Sequence, residues 1–163
     1  MEADSTTTAS ALLALCRAAG LKLATAESCT GGIIAAALTD IPGSSEVLER
    51  GVVTYSNASK SELLGVPSSL ITRHGAVSAE VAEAMALGAL ARAPVDLALA
   101  VTGIAGPGGA TPTKPVGLVY LAAIRAGEPA RVERHVFSGD RHAIRAAAAA
   151  RGLELLMELV SPP

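Results

Sequence analysis

Aromatic side chains are almost missing: Tyr55, Tyr120 and Phe137 are the only rings, and there is no Trp. So few rings cannot build a base-stacking platform, which argues against single-stranded nucleic acid as a partner. Charge of one sign is also lacking, since 13 Lys and Arg stand against 15 Asp and Glu for a formal net charge of -2. No electrostatic footprint for nucleic acid or anionic lipid follows from that balance. Cysteine is scarce, and Cys16 and Cys29 show neither ligand spacing nor a disulfide framework, which fits a reducing compartment. Apolar runs such as "DLALAV" break off long before the ~20 residues a membrane span needs. The opening "MEADSTTTAS" carries acids and hydroxyls where a signal peptide has a basic region and an apolar core. The expectation is a cytoplasmic protein with a small-molecule partner, no nucleic acid and no membrane.

What the chain does have is apolar residues, half of its 163 positions. That suffices for one sizeable core, so the reading is a single domain over 1–163 with a flexible N-terminus over 1–8. "ASALLALCRAAG" has helical periodicity and stops at Gly20; a short strand, Leu21 to Ala26, follows. "TGGIIAAALTD" reads as a helix of small side chains, "GVVTYS" (Gly51 to Ser56) as a strand, and Asn57 to Leu64 as a short helix ending at Gly65. "VSAEVAEAMALGALARA" predicts a helix capped by Ser78 with Glu80 in its first turn. "DLALAVTG", "VGLVYLAAI" and "RVERHVFSG" predict three strands, the last alternating like an edge strand, before a final helix from Asp140 to Val160. Interleaved helices and strands predict an α/β fold, a three-layer α/β/α sandwich on a largely parallel or mixed central sheet. "GIAGPGGATPTKP", Gly103 to Pro115, is too long for an idle connection and reads as a binding loop.

"TAESCTGG", Thr25 to Gly32, sets Ser28 and Cys29 side by side where a strand feeds a helix. Such a junction aims free N–H groups and a positive dipole end at whatever sits there. Thr30, Gly31 and Gly32 carry small side chains or none, so their amides can serve as an oxyanion hole with Ser28 placed to attack. The plainer alternative makes Ser28 a helix cap and the glycines a packing contact. Cys29 pairs with no evident His and reads as a buried structural thiol. His74, His135 and His142 form no triad pattern, so a Ser nucleophile needs another base. "TYSNASK" offers Lys60, since Ser–Lys pairs work where the ammonium is destabilised. Lowering a lysine from ~10.4 to ~7–8 takes about 4 kcal/mol of environmental bias, which burial can provide. A solvated helix lysine is the alternative for Lys60. Tyr55 is placed to relay a proton or orient the amine, and Asn57 to cap the helix while presenting its amide to substrate. In "SGDRHAIR", Arg141 and Arg145 share a helix face near an N-terminus that disfavours cations. Either Asp140 compensates them as N-cap, or they meet a substrate anion, Arg145 above all, with guanidinium geometry. Lys114 reads as a solvated loop residue, with assistance to such an anion as the alternative.

Taken together and in order, "TAESCTGG", "GVVTYSNASKSELLGV", "HGAVSAEVAEAMA", "AVTGIAGPGG" with "KPVGLVY", and "FSGDRHAIR" resemble the C-terminal domain family of CinA, the competence/damage-inducible protein, in its stand-alone nicotinamide-nucleotide amidase form. The resemblance runs from about Ala11 to the final helix. It implies an α/β/α fold, neither metal nor cofactor, a homodimer, and hydrolysis of the carboxamide of nicotinamide mononucleotide (NMN) to nicotinic acid mononucleotide and ammonia. By motif position it places the nucleophile on Ser28, the base on Lys60 and an assisting tyrosine on Tyr55, with Cys29 a bystander. Thr102, Gly103 and Gly106 then belong to a loop around ribose or phosphate, joined by Arg141 and Arg145. One departure is Ala110, where the family's loop often has a further glycine. Two rival readings stand beside the enzyme: a catalytically silent pyridine-nucleotide-binding or regulatory module, and an interaction domain whose Ala-rich helices serve oligomerisation.

Overall fold

The computed structural model describes residues 2–161. Its elements in chain order are α1 (Glu2–Ala19), β1 (Leu23–Glu27), α2 (Ile33–Thr39), a short 3-10 turn (Ser44–Glu46), β2 (Leu48–Val53), α3 (Asn57–Leu64), α4 (Ser68–His74), α5 (Ala79–Arg92), β3 (Leu97–Gly103), β4 (Leu118–Arg125), β5 (Arg131–Val136) and α6 (Arg141–Val160). The sheet runs β2-β1-β3-β4-β5. β1 pairs parallel with β2 and β3, whereas β3–β4 and β4–β5 are antiparallel, so the sheet is mixed.

Alternation along the strands sorts side chains by size. Leu97, Leu99 and Val101 of β3, with Val119 and Leu121 of β4, face the core shared with α1, α2 and α6. Ala98, Ala100 and Ala122 face the other way, onto Ala82, Met85 and Ala86 of α5. Burying a Leu or Val side chain contributes about 1.5–3 kcal/mol, so the first face carries the larger apolar stabilisation. The alanine face instead lets α5 lie close to the sheet. Gly88 continues that economy of space: a Cβ there would run into the Leu64 carbonyl at the end of α3. Two helical layers thus enclose the sheet in the three-layer arrangement.

Several boundaries differ from the sequence reading. β2 starts at Leu48 and ends at Val53, because its register against β1 runs from Leu23↔Leu48 to Glu27↔Val53. Ser56, read as strand, caps α3 by accepting from the Ser59 N–H at 3.0 Å, so Asn57 is not the cap. α4 lies in a stretch to which no element was assigned. α1 begins at Glu2, ahead of the apolar pattern from which the sequence reading started the helix. No Gly or Pro interrupts residues 2–8, and the buried Ala9, Leu12 and Leu13 seat the helix that they continue. No helix among the described residues is long and apolar enough to cross a membrane.

The chain leaves β1 for β2 on one side of the sheet and reaches β3 on the other. Between β1 and β3 lies a topological switch point, and open α/β sheets bind ligands outside the carboxyl ends of strands there. β5, antiparallel to β4, brings the start of α6 to the same end of the sheet.

Candidate active site

Ser28 follows the last residue of β1, and its N–H donates to the Val101 carbonyl of β3 at 2.9 Å. The chain then turns sharply: the Gly31 N–H donates back to the Ser28 carbonyl at 3.0 Å, with Gly31 and Gly32 at φ 60 and 107. Both values lie in left-handed space, where a side chain is strained, so the two glycines make the turn possible. Ser28 is 8% exposed, reachable only from one side.

That side holds Lys60. Its position one turn into α3 sends the side chain back under the sheet end, where it is 1% exposed. Nζ donates to the Ser28 hydroxyl at 3.0 Å and to the Thr54 carbonyl at 2.7 Å. No carboxylate is among these partners. Burial lowers the Lys60 pKa from its ordinary value of 10.5, because an apolar surrounding penalises the ammonium more than the amine. The alternative of a solvated lysine is excluded by this placement. Cys29 takes the opposite direction: burial pushes its thiol up to about 11, leaving it un-ionised at neutral pH and a poor nucleophile.

Ser28 and Lys60 open into a cavity of about 260 Å³. Thr102 and Gly103, at the end of β3, form one wall, and the loop through Gly106 and Gly109 another. Gly103 is obligatory for packing, since a Cβ there would lie 2.7 Å from Val119 and 3.1 Å from the Cys29 sulfur. The Thr102 hydroxyl donates to the Ala76 carbonyl at 2.9 Å, tying β3 to the segment before α5. Ala76 and Val77 line the cavity as well, a contribution the sequence reading missed. Lys114 reaches from the Gly/Pro-rich loop to the His74 carbonyl at 2.6 Å, so it holds the loop down and is not a free solvated side chain. Tyr55, 62% exposed, stands at the mouth with Asn57 and Arg141. Arg141 spans the opening, donating to the Gly106 carbonyl at 2.8 Å and to the Tyr55 hydroxyl at 3.0 Å. Asp140 caps α6 by accepting from the Ala143 N–H at 2.8 Å.

Thr30, Gly31, Gly32 and Arg145 are not among the residues lining this cavity. The Gly31 amide is engaged by the Ser28 carbonyl, and Thr30 is fully buried. The N-terminus of α2 is satisfied by Glu27, whose carboxylate accepts from the Ile34 and Ala35 amides at 3.0 and 3.1 Å. Sequence reasoning missed Glu27. Its signal was an acid closing an otherwise apolar strand, and its carboxylate takes the dipole that had been assigned to substrate. The Arg145 guanidinium donates to the Cys29 and Thr30 carbonyls at 2.9 and 3.1 Å. Among the described residues, no group of three His, Cys, Asp or Glu is arranged to hold a metal ion.

Comparison with known proteins agrees with this architecture. A family model, the CinA C-terminal domain, matches residues 5–160. The chain belongs to the CinA C-terminal domain family. A CinA-like protein of Citrifermentans bemidjiense is 60% identical over 134 residues, covering 82% of this chain and 32% of that protein. Another, from Myxococcus xanthus, is 50% identical over 155 residues, 95% of this chain and 37% of its own length. The CinA domain described here thus spans about a third of the curated relatives it matches. Among solved structures, the competence/damage inducible protein CihA from Agrobacterium tumefaciens superposes with a TM-score of 0.95 at 45% identity, covering 97% of this chain and 96% of that one. A CinA superfamily protein from Klebsiella pneumoniae gives 0.92 at 34% identity, covering 96% and 97%.

Proposed function

We propose that this CinA domain hydrolyses the carboxamide of nicotinamide mononucleotide to nicotinic acid mononucleotide and ammonia through a Ser28 acyl-enzyme. The observation that carries the reading is the buried Lys60 amine 3.0 Å from the Ser28 hydroxyl, with a lowered pKa and a cavity in front of it. A neutral amine at hydrogen-bond distance is what a serine needs to lose its proton on attack.

Ser28 Oγ adds to the carboxamide carbon as its proton passes to Lys60 Nζ. We assign the tetrahedral oxyanion to backbone amides of residues that line the cavity, Cys29 and the loop beyond Ile104, whose own N–H is taken by the Leu118 carbonyl. Lys60 then gives its proton to the amide nitrogen, the C–N bond breaks and ammonia leaves. Water, deprotonated by the same amine, cleaves the ester and returns Ser28. The cationic pyridinium ring draws electrons from the carbonyl and favours addition. Arg141, whose present partners are two neutral oxygens at the cavity mouth, is the guanidinium best placed to exchange them for the substrate phosphate. Tyr55 and Asn57 flank the same opening.

Purified protein incubated with NMN should release ammonia and form the mononucleotide acid stoichiometrically. Ser28→Ala and Lys60→Ala should each lower kcat by roughly 10²–10⁴-fold while thermal unfolding still shows a folded domain. Binding of NMN without turnover by the wild type would replace this reading with a regulatory module. Failure to bind any pyridine nucleotide would leave an interaction domain.

A further inference from the structure

The turn that carries Ser28 is gripped by two buried or half-buried charges of opposite sign. Glu27, 1% exposed, accepts from the Ile34 and Ala35 amides just beyond the turn. Arg145 of α6 donates through Nε to the Cys29 carbonyl at 2.9 Å and through Nη2 to the Thr30 carbonyl at 3.1 Å. Among the described residues neither group forms an ion pair. Both charges are therefore committed to backbone.

The geometry makes a chain of polarised peptides. Arg145 pulls electron density toward the Thr30 carbonyl oxygen, and the same peptide unit carries the Gly31 N–H. That N–H donates to the Ser28 carbonyl at 3.0 Å and closes the turn. Hydrogen bonds in series strengthen one another, and a charged donor at the head strengthens them most. Gly31 also leaves room for the fork, since a Cβ there would lie 3.1 Å from Arg145 Nη2. Arg145 is not among the cavity-lining residues, so it is poorly placed to touch the ligand.

We propose that Arg145 is a positioning residue of the nucleophile turn, a planar fork that fixes Ser28 by holding the carbonyls of Cys29 and Thr30, and not a ligand for the substrate's anion. The inference rests on the reading of Ser28 as nucleophile, but its mechanical part can be read without turnover.

Arg145→Ala should accelerate exchange of the Gly31 amide, followed by NMR, by roughly ten- to a hundredfold, the scale of losing charge-assisted hydrogen bonds. Arg141→Ala should leave that amide within about twofold of wild type. Kinetically, Arg145→Ala should lower kcat by a similar factor with the KM for NMN changed less than about twofold, and should slow hydrolysis of free nicotinamide by the same factor. Arg145→Lys, which keeps the charge but not the bidentate fork, should recover only part of either effect. Unchanged Gly31 exchange in a folded Arg145→Ala protein would overturn the proposal. So would a raised KM confined to the phosphorylated substrate with kcat retained. If the wild type hydrolyses no amide, the functional reading fails and the exchange measurement alone decides whether Arg145 holds the turn.

Discussion

Lys60 is among the largest fully buried side chains, in company with Leu12, Leu13 and Met85. A cation buried to that degree is costly, and that cost is what the proposed general-base role draws on. The lowered pKa also makes stability depend on pH in a definite direction. The unfolded chain keeps the lysine proton up to about 10.5, while the folded chain releases it at lower pH. Between those two values the unfolded state binds more protons, so stability rises with pH across the window. Below the window both states are charged and the folded protein bears the whole penalty. Lys60→Met has no such term. The unfolding free energy of wild type relative to Lys60→Met should therefore increase as pH climbs toward 10.5, measured by urea denaturation over a pH series. A difference that stays flat would mean that the buried amine has its full ordinary basicity, and the general-base role would lose its physical basis.

At the scale of elements, the site depends on how closely α3 can approach α5. Gly88 permits it, and a Cβ at that position collides with the Leu64 carbonyl, which is backbone and cannot rotate away. Gly88→Ala gains helix propensity, worth about 1 kcal/mol, but overpacking of this kind costs about 1–3 kcal/mol or more and must push α3 outward. The expected result is a net lower Tm together with a fall in kcat, because Lys60 rides on α3. A variant with lower Tm and full activity would show that the Lys60 seat is independent of this contact. The same elements show what was legible in the sequence. α5 and α6 could be read because each combines a side-chain cap, Ser78 or Asp140, with sustained apolar spacing. The apolar run of β3 could be read because both faces of the strand are covered. α4 could not: it has seven residues, starts after Pro67 without a side-chain cap, and buries only Ile71. Ser28 and Lys60 could be picked out as residue types, but the 3.0 Å between them is set by two elements separated by 32 positions. Arg141 and Arg145 share a helix face, so spacing alone could not divide their roles. One turn of depth does, placing the first over the cavity mouth and the second against the Cys29 and Thr30 carbonyls.

Across the whole molecule, α6 joins that site to the far edge of the sheet. Near its middle, Arg151 meets Glu133 of β5 in a bidentate pair at 2.6 and 2.9 Å and also reaches Glu154 and Glu158. Arg131 adds a second bond to Glu158 at 2.7 Å, and His135 lies 2.7 Å from Glu133 while stacking on Phe137. The Arg151 hydrogen bonds, helped by His135, hold the Glu133 carboxyl at about 2 against an ordinary 4.5. A carboxylate with a depressed folded pKa contributes stability that is fully present above 4.5 and is lost as pH falls toward 2, where the folded protein at last takes up the proton. Solvent screening at this partly open site reduces the contribution to about 1 kcal/mol. Glu133→Gln should therefore be less stable than wild type by that amount at pH 7 and converge on it near pH 2, followed by thermal unfolding across the acid range. Because the network anchors the helix that also carries Arg141 and Arg145, any α6 loosening in Glu133→Gln should register as faster Gly31 amide exchange. If the variant shows the same acid profile as wild type, the β5–α6 ion network contributes nothing to holding α6, and the apolar contacts of Ile144, Leu153 and Leu156 alone must seat it.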